Sequence, residues 1–328
     1  MATLRWGIIG CGDVAEHKGG PPLYRVEGSS LVAVMRRDSE KAKAFAERHG
    51  ASRFYTRVED LLADEEINAV YIATPPYLHC AQAVLAAKAG KHVLCEKPMA
   101  LNVGECQQMI DACRAHNVTL MVAYYRPFYP NVLKLKALMA DGAIGDVALA
   151  RVNHTAMYNP AQHQWGGWRV DPKISGGGVL MDIGSHRIDL LLDLLGDVDG
   201  VSGYAENLCF PYPVDDSAVF TLRFKCGAHA VGNINWTVGA SIDEIEVYGT
   251  KGVLRCNPLN SGNLTLQTRN GIQELHQKPL PYTHTGLVED FVAHIRASAP
   301  IRISGEKGLR TNAIMAEIYA NSRPSFEE

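Results

Sequence analysis

Three side chains have the types that coupled proton and hydride chemistry needs. Lys97 follows the apolar run His92-Val93-Leu94-Cys95-Glu96 and precedes Pro98. A lysine at the carboxyl end of a strand in an open α/β sheet stands where such sheets place their ligands, so it is a candidate proton donor. Farther along, Asp182 and His186 lie four residues apart in Gly176-Gly177-Gly178-Val179-Leu180-Met181-Asp182-Ile183-Gly184-Ser185-His186. If helical geometry holds across that stretch, the two face the same way, and a carboxylate beside an imidazole fixes its tautomer and raises its basicity. Such a pair can accept the hydroxyl proton of an alcohol as hydride leaves. The plainer alternative makes Asp182 a helix cap, His186 a buried histidine and Lys97 a solvated strand end. The triple glycine weighs against it, because a plain cap does not need the close backbone approach that glycines permit.

A second set of residues fits a dinucleotide. Gly10-Cys11-Gly12-Asp13-Val14-Ala15 gives G-x-G-x-x-A directly after an apolar run. Gly10 permits the tight turn, Gly12 lets backbone approach a pyrophosphate, and Ala15 allows a helix to pack closely on the strand. The helix N-terminus at Asp13 and Val14 offers free N–H groups and the positive end of the helix dipole to phosphate. The run 31–35 ends at Arg36-Arg37, where a carboxylate would suit the ribose hydroxyls of NAD. Two guanidiniums suit a 2′-phosphate instead, which favours NADP, with NAD still possible through Asp38. Thr74-Pro75-Pro76 is either a loop over the cofactor or a rigid turn.

These residues need elements to hold them. Apolar runs at 4–9, 31–35, 69–72, 92–95 and 119–123 alternate with helical patterns, which predicts five βα repeats in a doubly wound parallel sheet. Ser39 is the expected cap of a helix ending at Gly50, a helix at 78–89 ends at Gly90, and Asn102 with Glu105 forms a capping pair. After about residue 123 the pattern changes to a helix at 130–140, strands, a helix at 185–195, and then mostly strands. In 217–224 the residues Ala218, Phe220, Leu222 and Phe224 share one face, as in an antiparallel sheet covered on one side. Helices at 287–297 and 306–321 close the chain. The segment His17-Lys18-Gly19-Gly20-Pro21-Pro22 interrupts the first helix; Lys18 is either part of a helix-ending loop or near a phosphate or substrate acid.

The 328 residues suffice for two domains, and 47% hydrophobic with 20% charged residues is the balance of a soluble globular protein. A net charge of -3 argues against nucleic acid or an anionic membrane as the main partner and leaves a small molecule. The N-terminus has no secretory pattern and no apolar run is long enough to span a membrane, so a cytoplasmic protein is expected. The eight cysteines include no C-x-x-C pair and no zinc spacing, so no metal is expected and the thiols are read as reduced.

In order and spacing, the chain resembles the glucose-fructose oxidoreductase, inositol dehydrogenase and MocA (Gfo/Idh/MocA) family over nearly its whole length. The matching features are the glycine motif at 10–15, Ala73-Thr74-Pro75-Pro76 with His79, Glu96-Lys97-Pro98, Gly145 before a strand, Trp168-Arg169, and the glycine-rich stretch through Asp182 and His186. The resemblance implies a Rossmann domain at 1–122 and an α/β domain at 123–328 with a large, mostly antiparallel sheet. The second domain would bind substrate and support oligomerisation, the active site would lie between the two, and the last helix would pack back on the first. It implies an NAD(P)-dependent dehydrogenase or reductase acting on CH–OH groups of sugars, polyols or related molecules, as a homodimer or homotetramer. By position, Lys97 donates or accepts a proton, His186 is the general base and Asp182 orients the pair, with a cis Lys97-Pro98 bond. His79, Glu96, Lys97, Arg126, Trp168 and Arg169 fall with the cofactor residues, and Lys97, Trp168, Asp182 and His186 also border the substrate. Tyr125 and His154 are further substrate candidates; His154, like Tyr158 and Tyr282, also has a structural alternative. Tyr125 stands where many relatives have asparagine before the arginine. Two other functions remain open: an NAD-dependent glycoside hydrolase working by transient oxidation, and a non-catalytic cofactor-binding sensor.

Overall fold

The computed structural model describes residues 3–158 and 166–322. The chain divides into two compact units, Met1–Tyr125 with Pro281–Asn312, and Arg126–Leu280 with Ala313–Glu328. Residues 281–312, which the sequence reading assigned to the second domain, thus belong with the N-terminal unit.

The first unit is built on six strands: β1 (Leu4–Ile9), β2 (Ser29–Met35), β3 (Arg53–Tyr55), β4 (Ala69–Ile72), β5 (His92–Cys95) and β6 (Leu120–Val122). Their order is β3-β2-β1-β4-β5-β6 and every pairing is parallel. The strands are apolar along almost their whole length because helices cover both faces, as parallel sheets require. Trp6 is fully buried and meets Phe291 of helix Thr285–Ala297 with ring centroids 5.3 Å apart. The short edge strand β3 escaped the sequence pattern because three residues with polar flanks show no periodicity.

Local signals explain the helix boundaries, with one correction. Helix Ser39–His49 is capped by Asp38, whose carboxylate accepts the Lys41 backbone N–H at 3.1 Å, so Ser39 is its first residue and not its cap. Gly50 ends it at φ +70°, a left-handed conformation that favours glycine. After the glycine turn the chain forms a π-helical turn, Ala15–Gly19, and then the short helix Pro22–Arg25. Ala15 is buried, and Gly19 also sits in a tight contact, where a Cβ would run into the Tyr71 hydroxyl. Helix Val103–Ala115 has the predicted reciprocal cap: Asn102 accepts Glu105 N–H at 2.9 Å, and Glu105 accepts Leu101 N–H at 3.1 Å.

The second unit holds an eight-stranded sheet of β7 (Val147–Met157), β8 (Val198–Glu206), β9 (Ser217–Phe224), β10 (His229–Asn235), β11 (Thr237–Gly249), β12 (Gly252–Cys256), β13 (Asn263–Thr268) and β14 (Gly271–His276). The order is β14-β13-β12-β11-β7-β10-β9-β8, antiparallel except between β7 and β10. β9 alternates buried and solvent-facing residues in the expected register. Its inner side joins Ala150, Val152, Ile234 and Val247 in one core with residues of helices Pro130–Ala140 and Ser185–Leu195. Tyr204, Val219 and Val231 are exposed, as is Met157.

All eight cysteines are free thiols, six of them buried, while Cys209 and Cys226 are exposed. No helix among the described residues is long and apolar enough to cross a membrane. Replacing Asn102 by Ala removes the side-chain cap and is expected to cost about 1 kcal/mol. A urea titration checks this, and an unchanged midpoint would show that the cap contributes nothing.

Candidate active site

In the first unit, parallel pairing brings the loops after β1, β2, β4 and β5 together where the strand order reverses. Gly10 has φ +96°, and a Cβ there would lie 2.9 Å from Ala73 backbone atoms and the Thr74 methyl, so the loops after β1 and β4 touch at this glycine. Arg36 donates to the Cys11 carbonyl at 2.7 Å, tying the end of β2 to the same turn. Gly12 differs: a Cβ would meet no atom of the described residues within 4 Å, so the protein's own packing does not require a glycine there. Bare backbone facing open space fits a pyrophosphate. Asp13 is exposed and 3.6 Å from His17, Val14 is partly buried, and Arg37 and Lys18 are exposed. Asp38 uses its carboxylate on Lys41, both as the helix cap and in a 3.1 Å ion pair.

His79 joins the loops after β4 and β5. Its Nε2 lies 2.8 Å from the Thr74 carbonyl oxygen and its Nδ1 lies 3.0 Å from that of Pro98. Burial, the largest influence, lowers the His79 pKa, while the two carbonyls pull it upward. Thr74 donates its hydroxyl to Gln82 at 2.7 Å, and Pro75 leads into the 3₁₀ turn Pro76–Leu78.

Lys97 is partly buried and its bond to Pro98 is cis. The neighbouring Glu96 is buried, and its carboxylate accepts the Lys97 backbone N–H at 3.2 Å and the Tyr71 hydroxyl at 2.6 Å. The same carboxylate oxygen that takes Tyr71 meets His284 Nε2 at 2.8 Å. Burial alone raises the Glu96 pKa, but the hydrogen bond and charge of His284, then Tyr71 and Lys97, outweigh it and hold the carboxyl at about 2. The His284 ring is tilted against Tyr125 at 4.8 Å. Sequence reasoning missed Tyr71 and His284: the first looks like a strand core residue, and the second lies 188 residues from Glu96. Tyr282, a pocket candidate, has its ring under the Arg25 guanidinium at 5.3 Å.

In the second unit, Leu180–Gly184 is π-helical and runs directly into helix Ser185–Leu195, and neither has a side-chain cap, so Asp182 is not acting as one. The Asp182 carboxylate faces Arg169 at 3.5 Å, each about a quarter exposed. Arg169 also lies over the Trp168 ring at 4.6 Å, so Asp182, Arg169 and Trp168 are brought together. His186 is buried. His154, on β7, has its pKa lowered to about 4, first by burial and then by the Arg187 charge, with Asp243, Arg126 and Asp182 also acting on it. Arg187 itself is buried and paired with Asp243.

The triple glycine has a different cause from the expected one. Gly176 ends helix Pro172–Ser175 at φ +81°, a Cβ on Gly177 would strike the Tyr319 hydroxyl, and one on Gly178 would strike the Asp215 carbonyl. Asp215 accepts the Gly178 and Leu180 backbone N–H groups at 2.6 and 2.8 Å and the Tyr319 hydroxyl at 2.7 Å. The close approach is therefore to the protein's own Tyr319 hydroxyl and Asp215 backbone, and the Asp215 carboxylate fixes the entry to the Asp182 turn.

A glycine turn at the reversal of a parallel sheet, joined to a unit carrying histidine and carboxylate, defines a dinucleotide-dependent oxidoreductase class. Residues 4–124 match the oxidoreductase family with an NAD-binding Rossmann fold, and residues 132–255 match the GFO/IDH/MocA C-terminal domain. The chain belongs to the Gfo/Idh/MocA oxidoreductase family. It is similar to oxidoreductase P35 of Formosa agariphila, at 36% identity over 96% of this chain and 98% of that one. It is also similar to 1,5-anhydro-D-fructose reductase of Ensifer adhaerens, at 31% identity over 93% and 92%. Among solved structures it resembles aldose-aldose oxidoreductase from Caulobacter crescentus complexed with glycerol, with a TM-score of 0.87 and 28% identity over 97% of each chain.

The Glu96 carboxyl gives a pH signature. Its folded pKa of about 2 lies below the ordinary 4.5, so it contributes stability that is full above about 4.5 and is lost as pH falls toward about 2. Glu96→Gln is expected to be less stable than the wild type at neutral pH, with the gap closing across that window in urea titrations. A gap independent of pH would rule out the carboxylate charge as its source.

Proposed function

We propose that the protein interconverts a hydroxyl and a carbonyl on a sugar, polyol or related small molecule, with NADP preferred over NAD. The observation that carries this reading is the convergence of Gly10, Gly12, Arg36, Thr74, His79 and Lys97 on the edge of the sheet where its strand order reverses. A nicotinamide cofactor held by the turn at Gly10 and Gly12, with Arg36 and Thr74 beside it, would supply the hydride-transfer chemistry.

The chain's own residues manage the proton. In the oxidation direction His186 accepts the hydroxyl proton, and the Lys97 ammonium keeps its own proton and steadies the oxygen as the carbonyl forms. Asp182, held against Arg169 at 3.5 Å, orients His186 four residues farther along. Trp168, Arg169 and Arg126 help to frame the ligands, and Tyr125 and His154 contact the substrate. An uncharged polyhydroxylated substrate fits the charge balance around His154, where Arg187 and Arg126 oppose Asp243 and Asp182. The relatives named for 1,5-anhydro-D-fructose and aldoses support the same substrate class.

NADP preference rests on Arg36 and Arg37. Arg36 is anchored at the glycine turn and Arg37 is exposed beside it, while the nearby Asp38 is engaged as a helix cap. The eight free cysteines suit a reducing, cytoplasmic setting, and the exposed apolar residues on β8, β9 and β10 suit a homo-oligomer.

With 1,5-anhydro-D-fructose and a panel of aldoses as probes, Lys97→Ala and His186→Ala are each expected to lower turnover by about 10²- to 10⁴-fold. Cofactor affinity, read by fluorescence titration, should stay within a few-fold; full turnover in both variants would end the assignment. Arg36→Ala with Arg37→Ala should weaken NADP binding by at least about tenfold, since losing a charge-assisted bond costs roughly 1.5 to 3 kcal/mol. NAD binding should change little, and equal losses for both cofactors would remove the NADP preference.

A further inference from the structure

We infer that His284, acting with Tyr71 through Glu96, is a positioning residue for Lys97. This rests on the oxygen-steadying role given to Lys97 and adds the device that aims it. Glu96 is the hub: one carboxylate oxygen takes the Lys97 backbone N–H at 3.2 Å, and the other takes the Tyr71 hydroxyl at 2.6 Å and His284 Nε2 at 2.8 Å. The two partners of the second oxygen come from different parts of the first unit, Tyr71 from β4 and His284 from the start of helix Thr285–Ala297.

His284 is itself held on both nitrogens. Its Nδ1 lies 3.0 Å from the Thr283 hydroxyl, and its ring meets Tyr125 at 4.8 Å and Tyr71 edge-on at 6.3 Å. The histidine is fully buried, so its Nε2 has a single fixed direction. The ionisable groups that bear on Glu96 and its partners are Tyr71, His79, Cys95, Lys97, Tyr125 and His284. A carboxylate gripped on one oxygen cannot rotate, so its other oxygen is fixed on the Lys97 N–H, and with it the point where the lysine leaves the strand. Catalysis is sensitive to such aim, since a displacement of about 1 Å at a reacting group costs on the order of 100-fold in rate.

The test is a double-mutant cycle in the full-length protein with bound cofactor, using the sugar probe of highest turnover. His284→Ala is expected to lower kcat by about ten- to 100-fold, with cofactor affinity unchanged and a larger solvent deuterium isotope effect, because proton transfer becomes slower. His284→Gln, which keeps an N–H donor, should recover much of the loss. In a Lys97→Ala background the same His284→Ala change should cost almost nothing more, since its effect runs through the absent lysine. Tyr71→Phe, which deletes one hydroxyl from the hub, covers the case in which the histidine variants fail to fold and should show the same non-additivity. Hydrogen exchange at the Lys97 amide gives a substrate-free readout and should accelerate in each variant. Fully additive losses with Lys97→Ala strongly impaired would overturn this inference alone. Full turnover in Lys97→Ala would overturn it together with the catalytic reading on which it rests.

Discussion

The parallel pairing of β1 with β4 is the constraint on which the nucleotide-binding unit depends. Two parallel strands side by side at the centre of a sheet send both following loops out of the same edge, and the order reversal keeps helices from filling the space between them. At that edge Gly10 fits against Ala73 and Thr74 only because it lacks a Cβ and adopts a positive φ. Neighbouring loops are then fastened to this contact, Arg36 through the Cys11 carbonyl and Pro98 through His79. The chemical residues thus inherit their positions from hydrogen bonds among loops that parallel strand direction has already gathered.

The second unit reaches a comparable result by burying a carboxylate. Asp215 is enclosed, and enclosure raises its pKa, yet it accepts two backbone N–H groups and a tyrosine hydroxyl. Those bonds offset the loss of hydration and pin the chain just before the π-helical turn at Asp182. Gly177 and Gly178 follow from this arrangement, because Tyr319 and the Asp215 backbone occupy the space that their side chains would need.

Much of this was legible in the sequence because the signals were local. The G-x-G-x-x-A string, the Asn102 and Glu105 cap, Gly50 and the alternation in 217–224 each report a backbone requirement within a few residues. The misses share the opposite property. β3 is too short to show a period, and Asp38 and Ser39 are adjacent residues that can both cap. The reason for the triple glycine sits at Asp215 and Tyr319, and the partners of Glu96 sit at Tyr71 and His284, where separation along the chain erases any pattern. Lys97, Asp182 and His186 stood out because ionisable residues in apolar or glycine-rich runs are conspicuous. Arg169 beside Asp182 joined two motifs whose contact no spacing rule foretells.

The burial of Cys11 has a consequence for how the protein ages. Its thiol donates to the Met35 carbonyl at 3.4 Å inside the glycine turn, and burial pushes its pKa up to about 12. Cys106, Cys113 and Cys256 are pushed equally high by the same cause. Electrophiles and peroxides attack thiolate, so these positions resist alkylation and sulfenic acid formation while the fold is intact. Wear from oxidants falls first on Cys209 and Cys226, both in the second unit, and the glycine turn around Cys11 is shielded from it.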